Sequence, residues 1–184
     1  MGLSYLYTGD GGGKTTNALG MALRSLGHGK KVVLIQFLKW RKDIGEYLIQ
    51  ERLGPDYEVH QFGRRVWLGT EPMTYEFDGD LYKVERPGER DRQEVMKAMK
   101  FARTVMMEKA PHLLILDEVN LAVHWGLLNS REIIELMDAA PVETTIVLTG
   151  RFAPPELIDR ADFVNEIKEI KAPKDFTATK GIQY

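Results

Sequence analysis

Short apolar runs alternate with amphipathic stretches along this chain, and the alternation predicts its elements. "VVLIQFL" (32–38), "HLLILDE" (112–118) and "TTIVLTG" (144–150) are near-continuous apolar runs of strand length. That is the pattern of strands buried on both faces of a parallel sheet. Ser4–Thr8, "YEVHQFG" (57–63) and the alternating "DFVNEIKEI" (162–170) complete the set, the last as an edge strand. Helical patterns lie between them. Lys14–Leu26 places Leu19, Ala22, Leu23 and Leu26 on one face and stops at "GHGK". Gly45–Leu53 is short, and 90–109 turns Val95, Met99, Ala102 and Met106 inward. Ser130–Ala139 starts from Ser130 as N-cap, and Pro154–Arg160 carries its prolines at the start. Gly63–Arg90 reads as a long irregular excursion facing a ligand, and "KAPKDFTATKGIQY" has no core pattern. The order predicts an α/β fold: a mainly parallel sheet with helices on both faces, binding ligand at the carboxyl ends of its strands.

Composition narrows this little, but in useful directions. The 184 residues suit a single domain over 1–184, and 43% hydrophobic content supports a sizeable core. A net charge of −2 argues against a general nucleic-acid binder. With no cysteine there is no disulfide, thiolate metal site or thiol nucleophile. No signal peptide and no apolar run of membrane-spanning length is visible, so a cytoplasmic, membrane-free protein is expected. His28, His60, His112 and His124 lack zinc-ligand spacing and read as surface or loop residues. Met96, Met99, Met106 and Met107 read as core.

Chemistry enters at "TGDGGGKTT" (8–16), between the first strand and the first helix. The common phosphate loop is G-x-x-x-x-G-K-[ST], yet five places before Gly13 stands Thr8. The backbone of Gly9, Gly11, Gly12 and Gly13, with the free N–H groups and dipole of the helix, still suits phosphate. Lys14 supplies a charge for phosphate oxygens, and the Thr15 hydroxyl a ligand for Mg²⁺ or Mn²⁺. Asp10 is out of place beside phosphate, so its side chain is expected outward or on a ribose hydroxyl. Asp117 and Glu118 end a buried strand and supply the second half of a nucleotide site. One acid is expected to hold the metal, the other to act as a base or second ligand. A lone Gly-rich turn, or an acid capping the next helix, is the plain alternative at each position.

Taken together, "YTGDGGGKTTNALGMALRSLGHGKKVVLIQFLK", "LLILDEVNLAVHWGLL", "IVLTGRFAPPELIDRADFVNEI" and "KGIQY" closely resemble the ATP:corrinoid adenosyltransferases, in the same order and over most of the chain. The family's loop also reads T-G-x-G-x-G-K-T-T and looks suited to ATP lying in a reversed direction. The resemblance implies a P-loop, RecA-like fold. It also implies transfer of the 5′-deoxyadenosyl group of ATP to the reduced cobalt of a corrinoid, with release of triphosphate, in adenosylcobalamin biosynthesis or salvage. It makes ATP and a corrinoid (cobalamin or a precursor) the substrates, a flavoprotein reductase a partner and a homodimer the assembly. Lys14, Thr15 and Glu118 become the catalytic set, with Thr15, Asp117 and Glu118 at the metal. Thr8, Gly9, Asp10, Gly11, Gly12, Gly13, Lys14, Thr15, Thr16, Asn120, Arg151, Arg64 and Trp67 become the binding residues. Because cobalt(I) is the nucleophile no general base is required, and Glu118 fits a metal ligand better than a base.

The chain also departs from the family. Gly12 stands where a lysine is common, and "FGRRVW" (62–67) replaces a G-x-G-F-T-W segment, keeping Trp67. A P-loop ATPase or small-molecule kinase, with Arg64, Arg65, Arg86, Arg90 and Arg92 in a lid, and a nucleotide-dependent corrinoid carrier are the competing functions. "LTGR" and "KGIQY" favour the transferase.

Overall fold

The expected apolar runs assemble into one sheet. The structure is a computed structural model and describes residues 2–71, 73–77, 79–174 and 178–184. In chain order its elements are β1 (Ser4–Thr8), α1 (Lys14–Gly27), β2 (Val32–Phe37), α2 (Gly45–Leu48), α3 (Gln50–Leu53), β3 (Tyr57–Phe62), β4 (Trp67–Leu68), β5 (Met73–Phe77) and β6 (Asp80–Glu85). There follow α4 (Glu89–Glu108), β7 (Leu113–Asp117), α5 (Val119–His124), α6 (Ser130–Asp138), β8 (Thr145–Thr149), α7 (Pro155–Arg160) and β9 (Phe163–Glu166). Six strands pair in the order β3-β2-β7-β8-β1-β9, every pair parallel.

Side-chain alternation divides the strands between two apolar layers. Val32, Leu34, Leu113, Ile115 and Val147 pack with Ala18 and Ala22 of α1 on one face. Val33, Ile35, Phe37, Leu114, Leu116 and Leu148 pack with α4 through α7 on the other. Burial on both faces is why these strands carry no polar alternation.

Several elements differ from the reading of the sequence. On α1 the face toward the sheet is Ala18 and Ala22, flanked by half-buried Leu19 and Leu26; of the expected positions only Leu23 turns away, 69% exposed. Met96 and Met107 are exposed, whereas Val95, Met99, Ala102 and Met106 of α4 are buried as expected. Asn129, one residue before Ser130, caps α6: its side chain accepts from Arg131 N at 2.9 Å, and Glu132 reaches back to Asn129 N at 3.3 Å. His60 sits on β3, its ring 4.4 Å from that of Phe101. β9 is an edge strand as expected, but it covers only four residues.

The largest correction concerns Gly63–Arg90. Within it lies a three-stranded sheet in the order β4-β6-β5, with β5 and β6 antiparallel and β4 parallel to β6. Pro72 and Asp78 of the excursion, and Asp175–Thr177 of the tail, lie outside the described residues. The chain enters this sheet through Gly63, where a Cβ would stand 2.6 Å from the Leu38 carbonyl carbon. Only glycine allows that crossing.

Candidate active site

The loop after β1 and the acids after β7 meet at the carboxyl edge of the large sheet. They border a cleft of about 810 Å³ whose lining includes Gly11–Thr16, Lys39, Trp67, Glu118 and Arg151. Two glycines shape the loop. Gly9 and Gly13 take φ of 99° and 109°, and a Cβ on Gly9 would stand 2.3 Å from Ile167 O. The chain beyond β9 fastens the loop from outside: Gly11 N donates to Ile167 O at 2.9 Å, and Ile167 N donates to Thr8 O at 2.8 Å.

Lys14 curls over the loop, donating from Nζ to Gly9 O at 2.8 Å and Gly11 O at 2.7 Å. Burial pushes its ammonium below the ordinary lysine range, against the pull of the Glu118 carboxylate. Gly12 is exposed, with open space where a Cβ would lie.

The two acids have opposite surroundings. Asp117 is fully buried. Its Oδ1 accepts from Thr15 Oγ1 at 2.8 Å and Thr149 Oγ1 at 2.6 Å. Its Oδ2 accepts from Lys39 Nζ at 2.6 Å and Gln36 Nε2 at 3.1 Å. Burial alone would raise this carboxyl; the Lys39 charge and the hydrogen bonds from Lys39, Thr149 and Thr15 hold it below its ordinary value. Burial likewise disfavours the Lys39 charge, but Asp117 and Glu118 outweigh this and raise its pKa. Glu118 follows with a left-handed backbone, φ 62°, its N–H on Thr149 Oγ1 at 3.0 Å. Glu118 lines the cleft. Burial pushes its carboxyl above the usual range; Lys39 opposes this and the Asp117 charge adds to it.

Not every expected residue reaches the cleft. Thr8 accepts from Ala153 N through Oγ1 at 3.2 Å, and Asp10 is exposed with its carbonyl on Arg151 Nη2 at 3.1 Å; both support the loop. Asn120 is buried behind it, donating to Gly150 O at 3.2 Å and Tyr7 O at 3.4 Å. Arg64 points elsewhere: Nε and Nη2 each donate to Asp91 at 2.9 Å, and Nη1 donates to Glu85 at 2.9 Å. Trp67 lines both the cleft and an adjoining cavity of about 300 Å³ bordered by Trp40, Arg41 and Tyr184. Gln36, Lys39 and Thr149 were absent from the sequence reading. The available signal was a glutamine inside the otherwise apolar run "VVLIQFL".

Two residues with oxygen donors suited to a hard divalent cation, Thr15 and Glu118, both line the cleft. Among the described residues no cluster of three or more acids and histidines is placed to hold a metal, so phosphate oxygens and waters would complete its shell, as Mg²⁺ allows.

A phosphate-cradling loop, a lysine and a hydroxyl at a helix start, and two acids on the next-but-one strand define a site for a phosphorylated ligand. Residues 1–184 match the family described as ATP:corrinoid adenosyltransferase BtuR/CobO/CobP, and the chain belongs to that family. It is similar to the corrinoid adenosyltransferase of Pseudomonas aeruginosa, at 30% identity over all of this chain and 84% of that protein. It is also similar to corrinoid adenosyltransferase CobA of Salmonella typhimurium, 30% identical over all of this chain and 86% of the relative. The corrinoid adenosyltransferase of Escherichia coli K12 is 29% identical over the same shares.

Proposed function

We infer that this chain is an enzyme transferring the 5′-deoxyadenosyl group of ATP to the cobalt of a reduced corrinoid. The observation that carries the mechanism is that Lys14, Thr15 and Glu118 line one cleft, with Trp67 also on its wall. In the reaction cobalt(I) attacks C5′ of ATP, a cobalt–carbon bond forms, and the C5′–O bond breaks with its electron pair leaving on triphosphate. No proton needs to move, so no side chain serves as a base. The protein aligns carbon and cobalt and stabilises charge on the leaving group.

Lys14 is placed to turn from its loop carbonyls to the phosphate chain, and the loop N–H groups and the α1 N-terminus add to the same pull. Mg²⁺, held by Thr15 and Glu118, would neutralise further charge on the triphosphate. Asp117 already accepts four hydrogen bonds. It is the residue that fixes the Thr15 hydroxyl, with Lys39 offsetting its charge.

The corrinoid is assigned to the Trp67 side, where the cleft and the adjoining cavity meet. Arg64 is engaged with Asp91 and Glu85 and holds β6 to α4. Exposed Arg65, 5.9 Å above the Trp40 ring, is the better candidate for the polar corrin side chains. The parallel sheet and its glycine loop support a RecA-like P-loop architecture as one domain. Supply of cobalt(I) demands an electron donor, and a flavoprotein reductase fits that demand. A homodimer is proposed on the family resemblance alone. Among the described residues no helix is long and apolar enough to cross a membrane; the cytoplasm is the proposed location.

The test is to mix the protein with Mg-ATP and chemically reduced cobalamin. The absorption spectrum of a cobalt–carbon bond should grow in with turnover. Absence of that spectrum, with ATP consumed, supports the ATPase instead.

A further inference from the structure

Phe152 lies two residues beyond Gly150, at the carboxyl end of β8, in the loop that leads to α7. The residue is 51% exposed, yet its backbone takes φ 57°. Non-glycine residues adopt this left-handed region at a cost in energy, and such strain gathers at ligand sites. Core packing does not account for it, because the ring partner is exposed His124, stacked at 4.4 Å and 27°.

Both chain neighbours of Phe152 are tied to the phosphate loop. Arg151 Nη2 donates to Asp10 O at 3.1 Å, and Ala153 N donates to Thr8 Oγ1 at 3.2 Å. The ring is thereby held at a fixed offset from the loop. It lines the same cleft as Gly11–Thr16, next to Leu121 and Trp125.

From this geometry we propose that Phe152 is a stacking platform for the purine base of ATP, with His124 backing the opposite face of the ring. A flat ring bound covalently to a phosphate chain is the ligand that gains from an aromatic surface locked to the phosphate loop. The corrin has no such covalent tie, and Trp67 is available to it elsewhere on the cleft wall. The inference rests on reading the cleft as the ATP site, and deepens it by naming where the base goes.

Calorimetric titrations with ATP and with inorganic triphosphate, without corrinoid, test it on the wild type and on Phe152→Ala, Phe152→Gly and Phe152→Trp. Loss of one aromatic platform should weaken ATP about tenfold in the Ala and Gly variants. Triphosphate affinity should be unchanged, and the Trp variant should bind ATP like wild type. Phe152→Gly should also melt at or above the wild-type temperature, because glycine accepts φ 57° without strain. Three results overturn the inference: unchanged ATP affinity in the Ala and Gly variants; equal losses for ATP and triphosphate, which would place the effect in the loop; or a lower melting temperature for the Gly variant with ATP affinity intact, which would make the ring structural. Wild-type protein that binds neither compound overturns the reading of the cleft as well.

Discussion

The two sides of the cleft are built in opposite ways. On the loop side Asp117, Gln36 and Thr149 stand on buried strands and tie the Thr15 hydroxyl at the start of α1 to the sheet. Thr15 and Thr149 meet on Asp117 Oδ1. Gln36 on β2, opposite Asp117 in register, donates to Asp117 Oδ2 and accepts from Gln61 on β3 at 2.9 Å. On the Trp67 side, among the described side chains of the small sheet, Met73 is 60% and Leu81 73% exposed. It is attached by the Arg64 clamp, by Trp40 Nε1 donating to Val66 O at 3.0 Å, and by contacts of Tyr82 with Trp40 and Trp67. A region with few buried contacts opens at low free energy. Under the proposed function the comparison teaches a division of labour: a rigid frame for the small, highly charged substrate, and a loosely attached flap for the large one.

The largest expected effect lies on the frame. Lys14→Ala and Thr15→Ala should each slow turnover about a hundredfold, on the order of 3 kcal/mol, because each removes a preorganised charge contact. Circular dichroism should show the fold unchanged. Next comes Lys39→Met, which leaves Asp117 buried without its counter-charge. Lys39 is 28% exposed, so the loss in urea unfolding should be about 2 kcal/mol, below the full cost of breaking a buried pair. Adding Asp117→Asn should recover part of it. A silent Lys39→Met would mean that the hydroxyls and Gln36 suffice to hold the frame.

On the flap, Asp91→Asn weakens the Arg64 clamp. Hydrogen exchange should rise in residues 67–85 while β1 and β7 stay protected, and ATP affinity should remain within about twofold. Equal loosening of both regions would erase the distinction drawn above. The smallest and most selective effect is expected for Trp67→Ala. It should impair adenosylation starting from cobalt(II) with a reductant, impair pre-reduced cobalt(I) less, and hardly change ATP affinity. Equal losses with both cobalt states and a lowered melting temperature would make Trp67 a packing residue.

This division also explains what could be read from the sequence. The frame was legible because its signals are local: apolar runs for strands, clustered glycines ahead of Lys14 and Thr15, acids ending a strand, and the periodic face of α4. Lys39 and Gln36 escaped because their partner Asp117 is about eighty residues away and adjacent only through the β2–β7 pairing. Arg64 reads as a ligand-binding or lid residue because nothing local reveals Asp91, 27 residues on. α5 spans six residues, too few for a helical period to show. The flap read as irregular because its strands are short and half-exposed, although Asp78-Gly79 in the sequence is a hairpin signal.

The most direct measurement of the central claim is phosphorus NMR of the products after turnover with Mg-ATP and cobalt(I) corrinoid. Attack at C5′ predicts inorganic triphosphate in amounts equal to the adenosylated corrinoid, with no stoichiometric ADP. ADP and orthophosphate as the main enzyme-dependent products would contradict it and place the chemistry at the terminal phosphate.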